Sequence, residues 1–122
     1  MPLTKILYAE DYKLVAHYMK EILEMQGWQV DVCFNGLEAL HRIESDAAYD
    51  LLLLDDQMPM MSGIELVERA RELPHRKETP IIILSASDCA SEAHRAGANR
   101  FLKKPNDFES LVSAIMHLLA AR

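Results

Sequence analysis

Two short runs of consecutive apolar residues constrain the fold of this chain more than any other feature. They lie at residues 51–54 (Leu-Leu-Leu-Leu) and 81–84 (Ile-Ile-Ile-Leu), and neither alternates with polar residues. Uninterrupted apolar runs of this length are typical of strands that are buried on both faces, as in the middle of a parallel sheet. The chain therefore needs helices on both faces of a sheet.

Five amphipathic segments alternate with the predicted strands, and their apolar residues recur at helical spacing. These segments begin at Tyr12, Asn35, Ser62, Asp88 and Asp107. Asn35 and Ser62 are each followed three residues later by glutamate, as in a capping box. We expect Asp88 to cap a brief fourth helix, and Gly27 and Gly97 to end the first and fourth helices.

Three further short strands are predicted, at residues 6–9, 28–34 and 101–102. Strands that alternate with helices form parallel sheets with right-handed crossovers. Five such units predict an α/β fold with a five-stranded, doubly wound parallel sheet of order 2-1-3-4-5. This architecture is flavodoxin-like, with helices on both faces. A length of 122 residues predicts a single domain, residues 1–122.

The charge and cysteine content exclude several classes of protein. The net charge is −6, so the domain lacks the cationic surface that direct nucleic-acid binding requires. Its longest basic cluster, His75-Arg76-Lys77, is expected in an exposed loop. Cys33 and Cys89 have no zinc-ligand spacing, and we expect two free, buried thiols. No apolar segment approaches the length of a membrane span, and we expect a cytoplasmic protein.

Polar side chains gather where the predicted strands end, and in this fold the ligand site lies outside those carboxyl ends. The strand ends carry Glu10-Asp11, Asp55-Asp56, Ser85 and Lys103-Lys104. Carboxylates this close together raise one another's pKa or demand a cation, and oxygen ligands suit Mg²⁺ or Mn²⁺. A hydroxyl and an ammonium beside them suit an anion with several oxygens. The combination predicts a phosphoryl-transfer site.

Three functions could use a site at this edge of the sheet: a phosphorylation-driven switch, a phosphohydrolase of the haloacid dehalogenase type, and a flavin-binding electron carrier. The phosphohydrolase requires Asp-x-Asp at the nucleophile, whereas the chain has Asp55-Asp56-Gln57 and no room for a cap domain. The flavin carrier requires a phosphate-binding loop after the first strand, where Glu10 and Asp11 would repel phosphate. The residues favour the switch.

Over nearly its whole length the chain resembles a bacterial two-component response-regulator receiver domain, of the chemotaxis-regulator-like superfamily. Five motifs in order, at nearly the family spacing, carry this resemblance. They are Lys5-Ile-Leu-Tyr-Ala-Glu-Asp11, Asp50-Leu-Leu-Leu-Leu-Asp55, Met58-Pro59 with Gly63 beyond, Pro80-Ile-Ile-Ile-Leu-Ser-Ala86, and Ala96-Gly-Ala98 leading to Phe101-Leu-Lys-Lys-Pro105.

The resemblance implies a role for each residue of the acidic cluster. Asp55, and not Asp56, matches the aspartate that accepts the phosphoryl group, and it is also expected to be a ligand of the metal. Asp11 matches the direct metal ligand, and Glu10 matches the acid that helps to hold metal-bound water. The backbone carbonyl of Gln57 is expected to complete the protein's share of the Mg²⁺ shell, in which Mn²⁺ can substitute.

The resemblance also assigns the residues on the last two strands. Ser85 matches the hydroxyl that hydrogen-bonds the phosphoryl group and moves towards it, and Lys104 matches the lysine that pairs with phosphoryl oxygens. Phe101 matches the aromatic residue that turns inward or outward with the phosphorylation state. The peptide bond between Lys104 and Pro105 is expected to be cis, as X–Pro bonds tolerate.

The implied function is a phosphorylation-activated signalling switch. A histidine kinase or histidine phosphotransfer protein would supply the phosphoryl group, and the surface of the fourth helix, fifth strand and fifth helix would control a downstream partner or output domain. The domain would be no enzyme beyond catalysing its own phosphotransfer and autodephosphorylation. A free-standing regulator and a receiver cut from a longer protein, such as a hybrid sensor kinase, fit the sequence equally well.

The chain departs from the family pattern in two places. Eleven residues separate Ser85 from Gly97, about one turn fewer than usual, so the fourth helix should span at most two to three turns. A homodimer through this surface is then disfavoured. Asp56 stands where the family more often has an apolar residue, and we expect it to face solvent or to tune the metal. Gln57 and Ser87 lie at the flanking positions that modulate hydrolysis in the family.

Overall fold

Five strands form one parallel sheet in the computed structural model, which describes residues 3–121. The strands are β1 (Lys5–Ala9), β2 (Gln29–Cys33), β3 (Leu51–Asp55), β4 (Ile81–Ser85) and β5 (Arg100–Lys103). Their order is β2-β1-β3-β4-β5, which confirms the predicted doubly wound architecture. Every residue of β3 and β4 is buried, as the uninterrupted apolar runs required.

Five helices cover the two faces of the sheet. They are α1 (Lys13–Glu24), α2 (Gly36–Glu44), α3 (Gly63–Glu72), α4 (Ala90–Ala96) and α5 (Leu111–Ala120). One apolar cluster packs α1 and α5 against one face, and a second packs α2, α3 and α4 against the other. Both faces of the central strands β3 and β4 are thus shielded from water. No helix in the described part of the chain is long and apolar enough to cross a bilayer.

Local signals set most helix ends where the sequence predicted them. The Asn35 side chain accepts a 2.9 Å hydrogen bond from the backbone N–H of Glu38, and Ser62 and Glu65 form a reciprocal capping box at the start of α3. Gly27 and Gly97 have φ angles of 92° and 118°, in the left-handed region that favours glycine.

The fourth helix is short, as predicted, but its start differs from the expectation. Helix α4 has seven residues, about two turns. The prediction that Asp88 caps it is wrong, because Cys89 occupies the cap position and the Asp88 carboxylate instead pairs with the ammonium of Lys103. The ion pair between Asp88 and Lys103 therefore links the loop before α4 to the end of β5.

The last helix also starts later than Asp107. The Asp107 carboxylate accepts a 2.8 Å hydrogen bond from the backbone N–H of Lys103, which closes the turn after β5. A short 3-10 helix, Phe108–Ser110, then precedes α5. This turn, which contains the cis bond predicted between Lys104 and Pro105, delays α5 until Leu111.

The expectation that the basic cluster lies in an exposed loop is wrong for Arg76, which is 2% exposed. Its guanidinium donates to the carbonyls of Ile43, Ser45 and Ala47 at 2.9, 3.1 and 2.7 Å. It also lies 5.3 Å from the ring centre of Tyr49. Arg76 thereby satisfies carbonyls at the carboxyl end of α2 that have no helical partner. Both cysteines are buried and free, as predicted.

Candidate functional site

Three carboxylates meet at the carboxyl edge of the sheet, where β1 and β3 lie side by side. Glu10 and Asp11 follow β1, and Asp55 ends β3. One oxygen from each lies within 4.8 Å of the others. Glu10 and Asp55 are 2% and 4% exposed, whereas Asp11 is open to solvent. A set of oxygen donors with one solvent-facing side fits a hydrated divalent cation such as Mg²⁺.

The Lys104 ammonium bridges two of these carboxylates. Its Nζ lies 2.9 Å from Glu10 Oε1 and 3.0 Å from Asp55 Oδ1. The Lys104 backbone N–H also donates to the Ser85 carbonyl at 2.9 Å, which fixes the end of β5 against β4. One cation therefore faces three anions, and the cluster keeps a net negative charge that a divalent cation would balance.

Burial and neighbouring charge shift the protonation of this cluster. Burial, assisted by the Glu10 carboxylate, raises the pKa of Asp55 to about 6, although the Lys104 ammonium opposes the shift. Burial alone would lower the pKa of Lys104, but its hydrogen bonds and charge interactions with Glu10 and Asp55 outweigh this effect and raise it. Lys104 thus remains a cation. Keeping Asp55 ionised at neutral pH lowers the stability of the folded domain.

Ser85 and Phe101 occupy the neighbouring strands. Ser85 is fully buried at the end of β4, and its hydroxyl accepts a 3.1 Å hydrogen bond from the Ser87 backbone N–H. The sheet register pairs Ser85 with Lys103, one residue before Lys104. Phe101 is half-buried and packs against the apolar cluster beneath α2, α3 and α4. The fold therefore places both residues predicted to switch on the side of the site that faces α4.

Gln57 and Ser87 contact each other across the rim of the site. Gln57 Nε2 donates to Ser87 Oγ at 2.9 Å, and both side chains are exposed. The hydrogen bond joins the loop after β3 to the loop after β4, directly beside Asp55 and Ser85. The role of the Gln57 carbonyl as a metal ligand stays a prediction.

Asp56 is half-buried and is not one of the three carboxylates of the metal-ligand cluster. The expectation that it faces open solvent is therefore wrong, and a tuning effect on the metal stays a prediction. Its Oδ1 accepts a 3.0 Å hydrogen bond from the backbone N–H of Ile64, and its Oδ2 lies 3.9 Å from the Cys89 thiol. The chain can turn back this tightly because of Gly63, where an added Cβ would lie 2.6 Å from the Asp55 carbonyl oxygen. Asp56 is a cap for the start of α3.

Sequence reasoning missed one polar group next to the site, the Tyr8 hydroxyl. Tyr8 is 0% exposed on β1, two residues before Glu10. Burial, followed by the carboxylates of Glu10 and Asp55, raises its pKa, so the phenol keeps its proton. The available signal was the presence of a tyrosine in a strand whose other inward positions are aliphatic.

Comparisons with known proteins agree with this geometry. The family model "Response regulator receiver domain" matches residues 6–116. The transcriptional regulatory protein TctD of Salmonella typhimurium is 35% identical over 94% of this chain and 51% of its own length. The transcriptional regulatory protein CrdR of Helicobacter pylori is 39% identical over 91% of this chain and 53% of its own. The chain thus spans about half the length of these curated relatives.

Solved structures show the same fold. The receiver domain of a Francisella response regulator has a TM-score of 0.88 at 33% identity, covering 97% of this chain and 98% of its own. The response regulator TrrA of Thermotoga maritima, solved in complex with Mg²⁺ and beryllofluoride, has a TM-score of 0.85 at 30% identity, covering 95% and 99%. These matches favour the switch over the phosphohydrolase and the flavin carrier. The chain belongs to the response regulator receiver domain family.

Proposed function

We propose that this domain is a phosphorylation-activated switch that accepts a phosphoryl group on Asp55 in the presence of Mg²⁺. The observation that carries the proposal is the position of Asp55, which is buried between Glu10, Asp11 and the Lys104 ammonium. A histidine kinase or a histidine phosphotransfer protein is the proposed donor. Nothing in the cluster resembles the second aspartate that a haloacid dehalogenase-type hydrolase requires.

The proposed transfer forms a bond between an Asp55 carboxylate oxygen and phosphorus while the phosphorus–nitrogen bond of a phosphohistidine breaks, and the imidazole takes up a proton. Carboxylates are weak nucleophiles, so the domain contributes position and charge. Glu10, Asp11 and Asp55, with the Gln57 carbonyl, would hold Mg²⁺, which would neutralise charge on the phosphoryl oxygens. Lys104 would turn from the carboxylates to the same oxygens, and Ser85 would donate its hydroxyl.

The proposed output follows from the rearrangement around Ser85. We propose that the Ser85 hydroxyl, which accepts from the Ser87 N–H in this state, moves towards the phosphoryl group to donate to it, and that space opens which Phe101 can fill. The surface formed by α4, β5 and α5 would change with it. The Asp88–Lys103 ion pair lies on this surface and would respond. A two-turn α4 makes the surface small for a homodimer, so we propose a different protein or an output domain as the partner.

The domain is proposed to have no other enzymatic activity and no direct contact with nucleic acid or membrane. Its relatives are named as transcriptional regulators, but they are about twice as long as the matched region. A net charge of −6 gives this domain little attraction for phosphate backbones. Any contact with DNA would belong to a separate domain, and the proposed location is the cytoplasm.

Intact-mass analysis after incubation with Mg²⁺ and acetyl phosphate tests the proposal. We expect one phosphate adduct that hydroxylamine removes, on the wild type and on the matched control Asp56→Asn. Asp55→Asn should give no adduct. An adduct that survives in Asp55→Asn would contradict the assignment. Absence of an adduct on a folded, Mg²⁺-binding wild type, without steady release of phosphate, would contradict phosphorylation itself.

A further inference from the structure

The Tyr8 hydroxyl is a buried donor that makes no hydrogen bond of normal length and angle. Among the described residues it is the one buried side-chain oxygen or nitrogen for which no partner is found. Buried hydroxyls are nearly always paired, because an unpaired one forfeits its hydration without compensation. The Glu10 and Asp55 carboxylates are the charged groups that act on it, and Glu10 also acts on it as a weak hydrogen-bond acceptor. Tyr8 and Glu10 are two residues apart at the end of β1, so the hydroxyl lies beside the metal-ligand cluster and close to Glu10.

Glu10 relies on one partner, the Lys104 ammonium, that the proposed reaction would take away. Its Oε1 accepts from Lys104 Nζ at 2.9 Å, and its Oε2 accepts from the Tyr12 backbone N–H at 3.2 Å. The same ammonium also holds Asp55. Once Asp55 carries a phosphoryl group, the most concentrated negative charge lies on that group, and Lys104 is drawn to it. Glu10 is 2% exposed, so water cannot replace the lost ammonium.

We propose that the Tyr8 hydroxyl is the reserve donor for the Glu10 carboxylate, engaged when Lys104 turns to the phosphoryl group. This inference rests on the proposed function. It makes Tyr8 a positioning residue that keeps Glu10 oriented, and it explains why a fully buried strand position carries a phenol. Before phosphorylation the hydroxyl has only a weak interaction with Glu10, so its burial destabilises the fold. After phosphorylation it stabilises the loaded site, so the tyrosine favours the phosphorylated state in both ways.

The variant Tyr8→Phe tests the inference, because it deletes one oxygen and keeps the ring. Tyr49→Phe is the matched control, since Tyr49 is also buried but its hydroxyl already donates to Asp31 Oδ2 at 2.9 Å, away from the site. Two quantities are measured for each protein. One is the melting temperature in EDTA, and the other is the affinity for beryllofluoride, a phosphoryl mimic, at saturating Mg²⁺ by calorimetric titration.

We expect Tyr8→Phe to melt at the same temperature as the wild type or higher, and to bind beryllofluoride about tenfold more weakly, the size of one hydrogen bond to a charged group. Tyr49→Phe should melt lower and bind with unchanged affinity. In a Glu10→Gln background the effect of Tyr8→Phe on affinity should fall below about twofold, because the amide needs no charge-stabilising donor.

Two results would overturn the inference alone. One is an unchanged beryllofluoride affinity in Tyr8→Phe, and the other is a lower melting temperature of the metal-free variant, which would show that the hydroxyl is already engaged before phosphorylation. A wild-type protein that is folded but binds no beryllofluoride with Mg²⁺ would instead refute the proposed function, whatever Tyr8→Phe does.

Discussion

Asp56 Oδ1 accepts a 3.0 Å hydrogen bond from the backbone N–H of Ile64, in the first turn of α3. The residue directly after the proposed phosphoryl acceptor is thus tied to the helix that the β3–α3 loop introduces. Ser62 caps the same helix through Glu65. Two adjacent aspartates at one strand end therefore serve different purposes, one at the site and one in the scaffold.

Replacing Asp56 with alanine should destabilise the fold without abolishing phosphorylation. The lost cap is expected to lower the free energy of unfolding by about 1 kcal/mol, whereas Asp56→Asn, which keeps an acceptor, should lose only a few tenths. Urea unfolding measures the stability, and intact mass measures the acetyl-phosphate adduct. A folded Asp56→Ala that takes no adduct would show that Asp56 acts in the chemistry.

The raised pKa of Asp55 predicts that wild-type stability depends on pH in metal-free buffer. The folded protein binds this proton more tightly than the unfolded chain, since the carboxyl pKa rises from 3.8 to about 6 on folding. Stability should therefore fall as the pH rises from about 4 to about 6, and the loss should persist above pH 6. Below pH 4 the carboxyl is protonated in both states and the penalty vanishes.

Asp55→Asn removes the cost of ionising a buried carboxyl group, so its stability is compared with that of the wild type. At pH 7 in EDTA the variant should be more stable than the wild type by about 3 kcal/mol, and the difference should shrink towards zero at pH 4. Lys104 keeps its bond to Glu10 in the variant. Denaturant unfolding at several pH values gives both curves. A difference that does not change with pH would contradict the buried, ionised Asp55.

The Gln57–Ser87 hydrogen bond predicts that these two residues control phosphoryl lifetime as a unit. Their bond bridges the loops that flank Asp55 and Ser85, and its loss should admit water to the acyl phosphate. We expect Gln57→Ala and Ser87→Ala each to shorten the adduct half-life several-fold, and the double variant to be no faster than either single one. Half-lives come from timed intact-mass spectra after removal of the donor. If the double variant instead shortened the half-life by the product of the two single effects, the two residues would act separately.

The buried contacts of Arg76, which lies away from the site, predict that replacing it strongly destabilises the fold. Arg76→Ala should lower the free energy of unfolding by about 3 kcal/mol, because it leaves buried carbonyls at the end of α2 without their donor. Arg76→Lys should recover little, since a single ammonium cannot reach the carbonyls that the guanidinium spans. Both variants should still accept phosphate at a temperature where they are folded. A stable Arg76→Ala would show that the carbonyls find other partners.

Much of the site could be predicted because strand order converts distant sequence positions into neighbours. The uninterrupted runs at residues 51–54 and 81–84 required a sheet buried on both faces, and parallel strands place all their carboxyl ends at one edge. Glu10, Asp55 and Lys104 were singled out on that ground and by family resemblance. They do meet within hydrogen-bonding range.

Other features could not be predicted because they depend on where a flexible polar side chain finds a partner. Asp88 was expected to cap α4, yet its carboxylate reaches Lys103 on β5, fifteen residues away. Arg76 belongs to a basic run that suggests exposure, yet carbonyls about thirty residues earlier draw it inward. No local pattern encodes a partner that is distant in sequence.

The sequence by itself determined the order of the elements, the burial of the central strands and the edge at which the charged residues gather, because hydrophobic periodicity and capping act over a few residues. Only the tertiary structure decided that Lys104 bridges Glu10 and Asp55, that Asp56 turns away to cap α3, and that the buried Tyr8 hydroxyl makes no normal hydrogen bond. The first two relationships require atoms from separate elements to come within about 3 Å, and the third depends on what surrounds a buried side chain, so only the packed fold decides them.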